Sequence, residues 1–103
     1  MKLEQAKFRR MVAVCAECED RSDGPRHLQS KSVAKALRQQ ASEASVRTRV
    51  IRTRCLGLCP RKALAAVALG ESLSAMTAEM QDESDLRALA RYAFGQEPAA
   101  GSK

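Results

Sequence analysis

Val46-Arg47-Thr48-Arg49-Val50-Ile51-Arg52-Thr53-Arg54-Cys55-Leu56-Gly57-Leu58-Cys59-Pro60 is the stretch on which the fold turns. Val46 to Val50 alternates apolar and polar residues, the period of a strand with one buried face. The alternation slips near Val50-Ile51 and ends at Thr53-Arg54, just before Cys55. Cys55 to Pro60 then reads as a tight loop, because Gly57 is free to take a positive φ and Pro60 has no N–H to donate. This segment therefore predicts a strand that delivers a cysteine pair at its C-terminal end.

The same arrangement recurs upstream. Phe8 to Val14 is a short apolar run suited to a buried strand, and it leads into Cys15-Ala16-Glu17-Cys18. Glu19 to His27, with Gly24-Pro25 among charges, reads as a loop. Val33, Ala34, Leu37 and Ala41 follow at helical spacing, with Ser30 or Ser32 as N-cap and an end near Ser42 or Ala44. Downstream, Ala63 to Leu69 reads as a strand, Gly70-Glu71 as a turn and Ser72 to Met76 as a further short strand. Asp82 or Ser84 opens a last helix with an apolar stripe of Leu86, Leu89, Ala90, Ala93 and Phe94, stopped by Gly95.

The order predicts an α/β domain, β-α-β-β-β-α, with a mixed sheet and two main helices over residues 1–95. Residues 96–103 read as a flexible tail. If the first two strands are parallel neighbours, their C-terminal loops meet at one end of the sheet, and Cys15, Cys18, Cys55 and Cys59 converge. Four thiolates suit tetrahedral Zn2+ or an iron–sulfur cluster. Two separate pairs, two thiolates per iron, suit a [2Fe–2S] cluster; C-x2-C is also the common zinc knuckle. In the second loop, the N–H groups of Leu56, Gly57 and Leu58 are placed to offset sulfur charge. Leu56 and Leu58 are placed to exclude water.

Cys55-Leu56-Gly57-Leu58-Cys59-Pro60 resembles the second ligand loop of thioredoxin-like [2Fe–2S] ferredoxins, which include the small subunit of respiratory and hydrogenase-linked NADH dehydrogenases. The early first pair, the long helix-containing gap and the closing helix are similar as well, so the resemblance spans roughly Val12 to Gly95. Small bacterial C-x2-C variants of metal-binding type look closest. The resemblance implies a thioredoxin-like fold with Cys15 and Cys18 as the first ligand pair and Cys55 and Cys59 as the second. It implies a one-electron carrier or cluster-holding accessory protein rather than an independent enzyme. The first pair is spaced more tightly than in respiratory members, and electron-carrying ferredoxins are more often acidic.

Composition frames these readings. The chain has 103 residues and a formal net charge of +6, and aromatic residues are only 3%. Residues 1–62 carry a net +9 and residues 63–103 a net −3, so one part of the surface is expected to be basic and the C-terminal region mildly acidic. A basic patch draws acidic protein faces, nucleic acid or anionic small molecules. Arg47, Arg49, Arg52 and Arg54, continued by Arg61 and Lys62, form the densest charge run. A solvated strand face is the simplest reading. The functional reading is a docking surface of Arg54, Arg61 and Lys62 for a redox partner with an acidic face.

With no Trp, and with Phe8, Tyr92 and Phe94 on core-like faces, stacking platforms for nucleic acid are lacking. Met11, Met76 and Met80 read as core or gap-filling residues. His27, in the loop after Cys18, reads as a surface histidine, with a role near sulfur as the alternative. No apolar run approaches a membrane span, and the charged N-terminus lacks the apolar centre of a signal peptide. Four cysteines in that setting predict reduced thiols and a cytoplasmic location. Two further readings stand beside the cluster. One is a structural four-cysteine zinc module binding an acidic partner or nucleic acid through its arginines; the other is a thiol–disulfide oxidoreductase using Cys15 and Cys18.

Overall fold

The computed structural model describes residues 1–58 and 60–95. Cys59 and the expected tail, 96–103, lie outside the described residues. The chain forms β1 (Arg10–Cys15), α1 (Ser30–Ala41), β2 (Thr48–Thr53), β3 (Leu64–Gly70), β4 (Leu73–Met80) and α2 (Glu83–Phe94), with a single 3-10 turn at Cys18–Asp20. The strands make one four-stranded mixed sheet in the order β2-β1-β3-β4. β1 and β2 are parallel, while β3 runs antiparallel to both β1 and β4. This is an α/β fold with two helices, compatible with a small thioredoxin-like architecture.

The register follows from burial. On β1, Val12 and Val14 are fully buried, and they pair with Val50 and Arg52 on one side and with Ala68 and Ala66 on the other. Because opposite residues in a ladder share a face, this row, apart from the exposed Arg52 on the edge strand, forms the sheet side of the core. The helices supply the other side: Val33, Ala34 and Leu37 from α1, and Leu86, Leu89, Ala90, Ala93 and Phe94 from α2. The helices touch each other as well as β1, so they share one face of the sheet. Ala66 and Ala68 of β3, on the row of Val14 and Val12, let this helical layer approach closely where bulkier residues would hold it off.

Several boundaries differ from the sequence expectation. β4 continues to Met80 instead of stopping at Met76, because Met80 pairs with Leu64 and is buried to 1% exposure. Met76, Ala78 and Met80 alternate with Thr77 and Glu79, the strand period that carries β4 on to Met80. At the start of α1 neither serine caps; Gln29 is the N-cap, without a side-chain hydrogen bond. Ser30 is instead the first helical residue, fully buried, and its hydroxyl accepts from Arg52 Nε at 3.1 Å. α2 matches the expectation. The Asp82 carboxylate accepts from the Asp85 N–H, and Gly95 ends the helix at φ 67°, in the left-handed region.

The aromatic residues also differ. Only Phe94 belongs to the core. Phe8 lies half-buried beneath Arg49, whose guanidinium carbon is 4.9 Å from the ring centroid. Tyr92 is exposed, and its hydroxyl donates to the Ser74 carbonyl at 2.6 Å. Met76 is half exposed, against the core reading, and Met11 is half-buried.

Candidate metal centre

Parallel pairing of β1 and β2 positions the site. Cys15, the last residue of β1, pairs with Thr53, the last of β2, and the Ala16 N–H continues the ladder to the Thr53 carbonyl at 2.7 Å. The two strands therefore end level, and the loops carrying Cys15-Ala16-Glu17-Cys18 and Cys55-Leu56-Gly57-Leu58 leave the sheet side by side. The sulfur of Cys15 accepts from the backbone N–H of Glu17 and Cys18 in its own loop and from Leu56 in the second. That Leu56 contact joins the two cysteine segments directly.

Cys15 and Cys18 are buried, each 2% exposed, and Cys55 is exposed. None of the three is in a disulfide. The Cys18 sulfur accepts from the Ala65 N–H of β3 at 3.5 Å, and the Cys55 sulfur from the Gly57 N–H at 3.3 Å. Gly57 takes φ 79°, and a Cβ there would meet nothing within 4 Å. Glycine is favoured at this position by conformation and not by lack of space.

The two buried sulfurs are electrostatically unlike. For Cys15, burial opposes ionisation, but the N–H groups of Glu17, Leu56 and Cys18 and the Cys18 thiol outweigh it and hold its pKa below the ordinary thiol value. For Cys18, burial dominates, the single N–H of Ala65 compensates only in part, and the neighbouring Cys15 adds repulsion, pushing the thiol up to about 11. Cys15 is thus the first of the pair to ionise.

Other expected residues fall as follows. Leu56 is half-buried against the core cluster and shields the site from one side. Leu58 is exposed, so it does not exclude water as expected. Arg54 and Arg61 are almost fully exposed, reaching Glu17 and Asp23 only at 3.9 Å. Lys62 is exposed at φ 56°. His27 is exposed and lines a cleft with Glu83 and Leu86 between the helices, away from the sulfurs. Among the described residues no three of His, Cys, Asp and Glu lie close enough together to grip a single metal ion.

Sequence reading missed Arg21, Asp23 and Gly24, which hold the first loop against the residues after the second. Arg21 donates one Nη to the Pro60 carbonyl at 3.1 Å and the other to Asp23 at 3.0 Å. The Asp23 carbonyl accepts from the Lys62 N–H at 2.6 Å. Gly24 is buried, and a Cβ there would collide with the Cys18 carbonyl oxygen. The Gly24-Pro25 loop signal was visible in sequence; what it packs against was not. The residues fit a thiolate-held group in the chemistry of their donors: sulfurs from both segments, each met by backbone N–H groups that offset negative charge. No family model, curated protein or solved structure matches this chain.

Proposed function

We propose that Cys15, Cys18, Cys55 and Cys59 hold a [2Fe–2S] cluster, and that the protein is a one-electron carrier or cluster-holding accessory protein of the cytoplasm rather than an independent enzyme. The observation that carries this reading is the level end of two parallel strands, where Cys15 pairs with Thr53 and the two cysteine segments leave the sheet side by side. Such a cluster, when bound, supplies reversible one-electron transfer. The chain's own part is to present the thiolates, to donate N–H groups to them from Glu17, Cys18, Leu56, Gly57 and Ala65, and to keep water from the Cys15–Cys18 side. Arg54, Arg61 and Lys62 offer a cationic rim for an acidic redox partner. The 3.9 Å contacts of the two arginines to Glu17 and Asp23 are surface pairs of little worth and leave the charges available.

The unequal ionisation of Cys15 and Cys18 favours one second reading, a thiol–disulfide oxidoreductase with Cys15 as nucleophile and Cys18 as its partner. Anaerobic purification followed by iron, sulfide and zinc analysis and a visible spectrum separates the cases. About two irons and two sulfides per chain, in a coloured protein, support the cluster. One zinc and no colour replace it with a metal-stapled binding module. Metal-free protein whose dithiol activity survives Cys55→Ser leaves the oxidoreductase.

A further inference from the structure

At the sheet end opposite the cysteines, two adjoining clefts of about 440 and 470 Å³ share Lys7, Phe8 and Arg47. The larger also takes Arg38 from the last turn of α1 and Arg49 from β2. Arg10 pairs with Thr48 at this end of the β1–β2 ladder and Cys15 with Thr53 at the other. Five residue steps, roughly 17 Å, separate Arg10 from Cys15 along β1.

Arg9, in the smaller cleft, pairs with the Glu71 carboxylate at 3.0 Å, whereas Arg38, Arg47 and Arg49 are held in place by neutral groups. Arg38 Nε donates to the Val50 carbonyl at 3.2 Å, Arg47 Nη1 donates to the Lys7 carbonyl at 3.3 Å, and Arg49 lies over the Phe8 ring. Anchors of this kind fix a guanidinium without cancelling its charge, and each occupies only part of the five-donor fork. Among the described residues no Asp or Glu lines either cleft. The negative end of the α1 dipole borders the larger one, and Arg38, in that last turn, offsets it.

We infer that these joined clefts bind a small molecule bearing two or more phosphate groups, independently of the cysteine site. Each phosphate brings up to two negative charges and three acceptor oxygens, which match the forked donors of Arg38, Arg47 and Arg49 bidentately, with Lys7 as a point charge. The volumes are those of a small-ligand site. The same phosphate chemistry on a nucleic-acid backbone would need a longer track and bases stacked on rings, and Phe8 is already covered on one face by Arg49.

The test is calorimetric titration of the full chain with sodium tripolyphosphate, inorganic phosphate and a short single-stranded DNA. Tripolyphosphate is expected to bind, with inorganic phosphate weaker. Arg47→Gln/Arg49→Gln is expected to weaken tripolyphosphate at least about tenfold. Arg87→Gln, exposed on α2 and outside both clefts, leaves it unchanged, as does the metal content of the preparation. Amide chemical shifts of the unmutated chain provide a readout that needs no variant: tripolyphosphate should move Lys7, Phe8 and the Arg47–Val50 segment. No tripolyphosphate binding, binding of the DNA alone, unchanged affinity in Arg47→Gln/Arg49→Gln, or shifts centred on the cysteine loops would each overturn the inference.

Discussion

Gly24→Ala tests the role of the turn behind the first cysteine pair. Gly24 does not occupy the left-handed region, so alanine brings no backbone strain there; the whole effect is steric. The added Cβ would overlap the Cys18 carbonyl oxygen and lie 3.1 Å from its carbon and 3.2 Å from the Arg21 carbonyl oxygen. All three neighbours are backbone, so relieving the overlap requires main chain to move, by roughly an ångström. Cys18 opens the 3-10 turn and its sulfur accepts from the Ala65 N–H at 3.5 Å, so a displacement of this size is expected to break that bond. Overpacking of this kind costs about 2 kcal/mol, or roughly 8–16 °C in Tm for a domain of this size. Thermal unfolding of the metal-free protein measures the cost, and metal content after anaerobic purification measures the effect on the site. Gly95→Ala is the control: it has open space but φ 67°, and is expected to cost about 1 kcal/mol with metal content unchanged. If Gly24→Ala unfolds within a degree or two of the parent and holds metal normally, the turn does not position Cys18 and the reasoning fails.

Cys55→Ser is expected to remove nearly all iron while the far-ultraviolet circular dichroism stays unchanged, because Cys55 is exposed and outside the core; full iron occupancy would remove it from the ligand set. The two buried thiols predict a pH optimum in the metal-free protein. Cys15, depressed when folded, adds stability that is present above the ordinary thiol value and lost as pH falls through its folded pKa. Cys18, raised to about 11, adds stability present below the ordinary value and lost as pH climbs towards 11. Urea midpoints should therefore drop between about pH 9 and 11, and Cys18→Ala should abolish that drop; a midpoint that rises over this range would contradict the assignment. Arg10 donates from Nε to the Glu71 carbonyl at 2.9 Å and from Nη1 to the Ala93 carbonyl at 2.8 Å, tying β1 to the β3–β4 turn and the end of α2. Arg10→Ala is expected to cost about 2 kcal/mol in urea denaturation, against near-neutrality for Arg54→Ala.

Much of the fold was legible along the chain, because the deciding signals are local. Alternation marks β2, a 3.6-residue apolar stripe marks α1 and α2, and Asp82 and Gly95 bound the last helix through their own side chain and backbone freedom. The cysteine pairs were legible for the same reason, since each follows an apolar strand and Gly57 declares a turn. Other features depended on partners distant in sequence. Ser30 is buried and its hydroxyl accepts from Arg52, 22 residues on, so its sequence neighbours do not reveal its role. Phe8 looked like core until the sheet end placed it under Arg49.

The sequence by itself determined the element order and the chemistry of the site's donors, both written in short-range spacing. Only the tertiary structure decided that β1 and β2 end level, that the Leu56 N–H serves the Cys15 sulfur, and that Gly24 must be small for Cys18. The first two are close approaches between segments dozens of residues apart, and the third is a fold-back that the turn signal alone did not reveal. A chain's local pattern encodes which face each residue presents, whereas which backbone it then meets is set by packing of the whole sheet.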